Sequence, residues 1–407
     1  MPELTNSVVV TDFGIAESDG KSVLSCRIRS DGFPDELRFE VRSFPTDTYV
    51  VQEPNWALAA LLYPAMLTGR DLHIEADISQ RLWTSAQGDL QDFLRACDPQ
   101  LRRIRVSAGW AAVPPTRNDG SATGFSAGVD SFATLSLYAG DRVPESLRIR
   151  RLTVHDVGAF GAGERVQQDF LKACRRAEDF AGRMGLEMAF VQSNLDHLYR
   201  VCAPASIFPQ THSLRNAAAA HVLGDGVGCF LYSSAFSPLQ IGVEKLRQDA
   251  HRYMAHVDPI ILPLLSTERL RMVSAGAGLS RGEKTALVAG SPEAQRHLDV
   301  CVSAEGRERH GRNNCSRCWK CERTMATLEA LGALDSFDAA FDLSWYHRNR
   351  RAIVRRLAYK GGRGSETDME VVAMQKAAGL AVEALPTVAG RARAWAGRSV
   401  RKILRAG

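Results

Sequence analysis

The chain has no long apolar run. Its most apolar stretch, Trp56 to Leu67, is too short to span a bilayer and contains Pro64, so no transmembrane segment is expected. The start, MPELTNSVVV, lacks a basic segment followed by a continuous apolar core, so no secretory signal is expected there. Cysteine is sparse and odd in number, with nine residues, three of them in one tight cluster. That excludes a secreted disulfide framework and points to a reducing cytoplasm with a metal site. The absence of an internal repeat or an extended low-complexity tract excludes a repeat architecture. Acidic residues are scarce in one region only. From Arg348 onward there are 4 Asp/Glu against 14 Lys/Arg, a net of +10, so the other 347 residues carry about −5 of the total of +5.

What is present suits a globular protein. With 407 residues and 45% hydrophobic content, two or three domains with full cores are expected. Residues 1–114 read as a separate α+β domain. Val23–Arg29 and Glu36–Arg42 alternate apolar and polar residues around the turn-forming Ser30–Asp35, which predicts a β-hairpin. Trp56–Leu67 predicts a buried helix, Asp71–Ile78 a strand and Leu90–Ala96 a helix. Ala112–Gly120 reads as a linker. From residue 121 strands and helices alternate. Leu152–Val157, Leu186–Val191 and Val227–Tyr232 predict strands, and Val166–Met184 and Leu214–Leu223 predict helices. This order predicts a parallel sheet with helices on both faces. Residues 341–407 are expected to form a basic helical tail. In it Arg391, Arg393, Arg398, Arg401, Lys402 and Arg405 surround Trp395, Val400, Ile403 and Leu404. Such a segment suits RNA, an acidic partner or an anionic surface, or is a solvated terminus.

The richest segment is Gly124-Phe-Ser-Ala-Gly-Val-Asp-Ser-Phe-Ala-Thr-Leu135. Small residues at 126, 127 and 128 let backbone amides approach an anion, and Ser126 and Ser131 add hydroxyls. A helix starting near Asp130 would face its N-terminus to the same anion. Downstream, Cys315, Cys318 and Cys321 are each separated by two residues, the spacing that turns neighbouring thiolates toward one ion. The best candidate for the fourth ligand is Cys301, with 13 residues intervening before Cys315; His310 is the alternative.

Taken together, SAGVDS and the Cys301, Cys315, Cys318, Cys321 pattern resemble the PP-loop, or N-type, ATP pyrophosphatases, and among them the 7-cyano-7-deazaguanine synthases. The resemblance covers about residues 121 to 335. Ser213-Leu-Arg-Asn216 resembles the family's Arg-Asn segment before an alanine-rich helix. Pro263–Glu268 resembles its Pro-Leu strand end, and Cys321-Glu-Arg-Thr324 its Cys-x-Arg closure. Two departures stand out. Ala127 replaces the second glycine of the SGGxDS signature, and the family's Gly-Tyr-Pro-Asp-Cys segment is missing.

The resemblance implies a doubly wound parallel sheet of the HUP-like type over 121–340 with a four-cysteine zinc knuckle. It implies an ATP-dependent ligase that uses ATP, Mg²⁺ and Zn²⁺. Ser126, Ala127, Gly128, Val129, Asp130 and Ser131 would hold pyrophosphate, and Val154, His155 and Asp156 would lie against adenosine. Asp130, Ser131, Lys284 and Arg215 would be catalytic; Arg323 is a further phosphate candidate. Each has a plainer role: Asp130 as a helix cap, His155 as a strand-end polar residue, Lys284 and Arg215 as surface cations. Gly158–Gly163 is a loop over the substrate or a solvated connector. The expected substrate is a small molecule, a nucleobase or a modified peptide, and the expected assembly a homodimer. The alternatives are a sulfurtransferase acting on a nucleobase or tRNA through Cys174, Cys202 or Cys229, and a binding module whose ATP site has decayed at Ala127.

Overall fold

The computed structural model describes residues 6–44, 53–111, 120–161, 165–223, 227–249, 251–303, 306–307 and 311–382. The chain divides between Ser280 and Arg281 into two units. Among the described residues no helix is long and apolar enough to cross a membrane.

The first unit is built on one mixed sheet of ten strands. Strands β1 (Ser7–Ser18), β2 (Lys21–Arg29) and β3 (Glu36–Phe44) form an antiparallel run, with the hairpin turn at residues 30–35 as expected. Helix α1 (Asn55–Thr68) follows, and every residue from Asn55 to Met66 is buried. Pro64 has no amide to give the carbonyl of Ala60. The Tyr199 hydroxyl donates to that carbonyl at 3.0 Å instead. Strand β4 (Asp71–Ser79), helices α2 (Gln80–Gln87) and α3 (Asp89–Cys97) and strand β5 (Val106–Ala111) complete this half. Strands β4 and β5 run parallel beside β1.

The other half consists of five parallel strands: β6 (Ser121–Gly124), β7 (Ile149–Asp156), β8 (Glu187–Ser193), β9 (Cys229–Ser233) and β10 (Arg271–Ala275). Their order is β10-β9-β6-β7-β8. Starting from β6, the chain adds two strands on one side and then two on the other. This is a doubly wound arrangement whose direction reverses between β6 and β9. The connecting helices form two packed groups. Helices α4 (Val129–Tyr138) and α5 (Arg165–Met184) meet through Phe132 and Phe180, whose rings lie 5.5 Å apart. Helix α7 (Phe208–His221) packs instead with α1 and with α9 (Asp258–Leu264). Right-handed crossovers require these two groups, since β7 and β9 lie on opposite sides of β6. Helices α6 (Leu195–Cys202) and α8 (Val243–Gln248) complete the unit.

Two expectations differ from this. Residues 1–114 were expected as a separate domain. Instead β3 pairs antiparallel with β8, from Phe39 opposite Ser193 to Phe44 opposite Met188, making one sheet. Alternation in β3 predicts which face is buried, but carries no information on the strand that will lie beside it. Pro263 was expected at a strand end; it lies inside the short helix α9. The expected linker, except for Gly120, lies outside the described residues, as do Ala162 and Gly163.

The second unit contains α10 (Arg281–Ala289), α11 (Pro292–His297), α12 (Trp319–Ala330), α13 (Leu343–Gly361) and α14 (Glu366–Ala377). Glu329 on α12 joins three helices: it accepts from Tyr346 at 2.8 Å, Arg350 at 2.6 Å and Gln375 at 2.9 Å. The segment beyond residue 382, with Arg391 to Arg405, lies outside the described residues.

Candidate functional site

The turn after β6 lies at the carboxyl edge of the sheet, next to the reversal point, where open α/β sheets bind ligands. Phe125 donates its amide to the Thr153 carbonyl at 2.8 Å, which holds the turn against the end of β7. Its ring lies 4.5 Å from that of Phe180 and anchors the turn from one face. Ala127 then takes φ 57°, in the left-handed region. Gly128 is extended and α4 begins at Val129, as expected. The first turn of a helix has amides without intrahelical acceptors, and these face the turn. Ser126 is exposed and accepts the Gly128 amide at 3.3 Å. Ser131 is buried, and its hydroxyl donates to the Gly128 carbonyl at 3.0 Å, so it braces the turn. Thr134 ties α4 to the end of β9 through Ser233 at 2.9 Å.

Val154, His155 and Asp156 end the neighbouring strand β7, so the fold brings them next to the turn. Val154 is buried. Burial raises the Asp156 carboxyl above its ordinary range, opposed by the Gly158 amide. His155 faces α7: it stacks on Phe230 at 5.6 Å, and its Nδ1 meets the Asn216 Oδ1 at 3.1 Å. Burial lowers its pKa to about 4, so the imidazole is neutral.

Around His155 lies a polar cluster that sequence reasoning did not assemble. Asn216 donates to the His212 carbonyl at 2.8 Å, and the His212 Nδ1 lies 2.7 Å from the Tyr232 hydroxyl. Ser213 donates to Asp258. Burial lowers the His212 pKa to about 3 and raises that of Asp258 to about 7. The Asn216 partner fixes one tautomer. Since Asn216 presents its oxygen, His155 carries its proton on Nδ1 and has a bare Nε2. The His212 Nδ1 faces the Tyr232 hydroxyl and, at 3.4 Å, the Ser213 hydroxyl, which accommodate either tautomer of that ring. Neither Nε2 has a hydrogen-bond partner among the described residues. Between the two strands concerned stands Gly124, where an added Cβ would meet no atom within 4 Å. The sheet register puts Gly124, Thr153 and Tyr232 on one face. Open space at Gly124 therefore adjoins the turn, on the face of the sheet that carries Thr153 and Tyr232. The legible signal was His212 and Asn216, four apart on a helix otherwise rich in alanine.

Arg215 is not a surface cation. It is 2% exposed, bonded to Asp196 at 3.3 Å and to the Val157 carbonyl at 3.2 Å. Its guanidinium lies 4.0 Å from the Tyr199 ring centroid. It fixes the chain just beyond β7. Gly158, with φ 110°, is required there, because a Cβ would come within 2.6 Å of the Arg215 Nη1.

Lys284 and Arg323 belong to the second unit. Lys284 is 1% exposed on α10, so it is not a surface cation either. Arg323 pairs with Asp368 at 2.8 Å and covers the Trp319 ring. The cysteine cluster forms in this unit too. The ligand atoms of Cys301, Cys315, Cys318 and Cys321 all lie within 4.8 Å of one another. The Sγ atoms of Cys318 and Cys321 are 3.3 Å apart, those of Cys318 and Cys301 3.9 Å, and those of Cys315 and Cys321 4.0 Å. A tetrahedral ion with bonds near 2.3 Å sets its sulfurs about 3.8 Å apart, so the set can hold a metal ion such as zinc. Ser316, at φ 61°, turns the chain so that the Arg317 and Cys318 amides donate to the Cys315 sulfur. Hydrogen bonds from Cys318 and Cys321 and the amides of Cys315 and Ser303 hold the Cys301 thiol well below its ordinary range. Asn314 binds the two arms together: it donates to the Leu298 carbonyl at 2.6 Å and accepts from the Val300 amide at 2.9 Å. His310, the alternative ligand, lies outside the described residues.

Comparison with family models, with curated proteins and with solved structures finds no match.

Proposed function

We propose that this chain is an ATP-dependent ligase of the PP-loop kind, acting on a carboxylate of a nucleobase-like or modified-peptide substrate. The observation that carries this is the turn at 126–131, which follows the central parallel strand at its reversal point. A substrate carboxylate oxygen attacks the α-phosphorus of ATP and pyrophosphate leaves. Ammonia then attacks the acyl carbon, and AMP leaves with that oxygen to give an amide. A second activation would give a nitrile. The backbone of 126–129 and the first turn of α4 bind the departing pyrophosphate, where charge accumulates. Asp130 is the residue to hold Mg²⁺, which supplies charge neutralisation on the phosphates. The open space by Gly124 leaves room for a planar base such as adenine. Zinc in the cysteine set is structural, because four thiolates leave no open position.

A sulfurtransferase is disfavoured by one observation: Cys174, Cys202 and Cys229 are all buried. Burial pushes the Cys174 and Cys202 thiols up to about 12, away from the nucleophilic thiolate. The test is chromatography of nucleotides after incubation with ATP, Mg²⁺ and ammonium. AMP and pyrophosphate are expected, and Asp130→Ala should abolish both without lowering the melting temperature. Release of ADP and phosphate would overturn the proposal.

A further inference from the structure

Helix α13 carries six arginine or lysine residues and no Asp or Glu. Its apolar side, Tyr346, Ile353, Val354 and Leu357, is buried. Within the unit Arg350 pairs with Glu329 and Arg356 with Glu322. The opposite side is different. Arg348, Arg351, Arg355 and Tyr359 are spaced three, four and four residues apart, which places them in one line, and all four are exposed. Arg348, Arg355 and the flanking Lys360 make no hydrogen bond or ion pair with any described residue. Arg363, just past the helix, lies over the Tyr359 ring at 5.6 Å.

We infer that this face of α13 binds the sugar-phosphate backbone of a nucleic acid. The line from Arg348 to Tyr359 spans about 16 Å at 1.5 Å per residue, enough for several phosphates. Arginine offers paired donors suited to phosphate oxygens, and lysine would serve as well for simple solubility. Five of the six cations are arginine. An exposed tyrosine in line with them, whose hydroxyl accepts from Arg363 at 3.2 Å, adds an aromatic group beside the cations. A helix that carries no acid of its own favours a polyanion over an ordinary protein surface of mixed charge. None of this depends on ATP use by the first unit.

The test is fluorescence anisotropy of the full chain with labelled 20-nucleotide single-stranded RNA and DNA over a range of salt. Binding that weakens steeply with salt is expected, and the stronger arm identifies the source. Arg348→Glu with Arg355→Glu should weaken it tenfold or more and lower the salt slope by about 1.4, at about 0.7 per phosphate contact. The paired Arg→Lys variant should keep most of the binding. Unchanged affinity in the Glu variant, with its melting curve intact, would overturn the assignment by placing binding elsewhere. So would binding to acidic peptide or anionic vesicles in preference to both nucleic acids.

Discussion

Ala127 sits in a backbone conformation that costs any residue with a Cβ about 1 kcal/mol, at φ 57°. The SGGxDS signature has glycine there, and the chain tolerates the methyl because the turn is held by Phe125 and Ser131. Ala127→Gly should raise stability by up to about 1 kcal/mol, since relief of the strain exceeds the added freedom of the unfolded chain. ATP affinity should hold or improve by no more than about tenfold. Urea unfolding and ATP titration of both proteins check this, and a decayed site would show no binding in the wild type. Tyr199 has two duties: its hydroxyl serves the Ala60 carbonyl freed by Pro64, and its ring carries Arg215. Tyr199→Phe keeps the ring and orphans a buried carbonyl, so it should cost about 1 to 3 kcal/mol in urea unfolding.

At the scale of elements, the cysteine set is the part that can be removed cleanly. One zinc per chain is expected by elemental analysis, and Cys318→Ser should lose it and destabilise the unit from Arg281 onward. Protein prepared without chelator and free of stoichiometric metal would contradict this. The same scale shows what was legible in the sequence. Cys315, Cys318 and Cys321 could be recognised because ligand spacing is local, and the start of α4 because its small residues and apolar period are local too. The His155, His212, Asn216, Tyr232 and Asp258 cluster could not be assembled, because its members come from two strands and two helices. The burial of Arg215 could not be read from the sequence, because its acidic partner, Asp196, lies on the preceding helix, α6. Helix α7 begins at Phe208, six residues before its apolar pattern starts at Leu214, because polar residues of its first turns face the sheet and not water.

At the scale of the molecule, the first unit buries three histidines in the neutral form. Burial holds His155 and His221 at about 4 and His212 at about 3. Their contribution is present above pH 6.5 and is lost as pH falls through those values, because the unfolded chain takes up protons that the folded one refuses. Asp258, raised to about 7, acts oppositely: its contribution is full below its unfolded value of 3.8 and is lost as pH rises through 7. Asp156, also raised by burial, acts in the same direction as Asp258, and three imidazoles against two carboxyls make acid the destabilising direction. Thermal melts should show a lower midpoint at pH 5 than at pH 7, and His221→Gln should lessen the difference. Equal midpoints would contradict the assignment of neutral buried imidazoles.

The pairing of β3 with β8 also has a consequence for synthesis. The Arg38 amide bonds the side chain of Asn194 across 156 residues of chain. A ribosome adding about 5 to 20 residues per second needs about 8 to 30 s to make that span. Throughout that interval the outer edge of β3 has its ladder groups exposed and β8 has not yet been made, so a second nascent chain can take the place of β8. The finished molecule has a covered edge; the half-made one is where chaperones and low temperature should raise the yield.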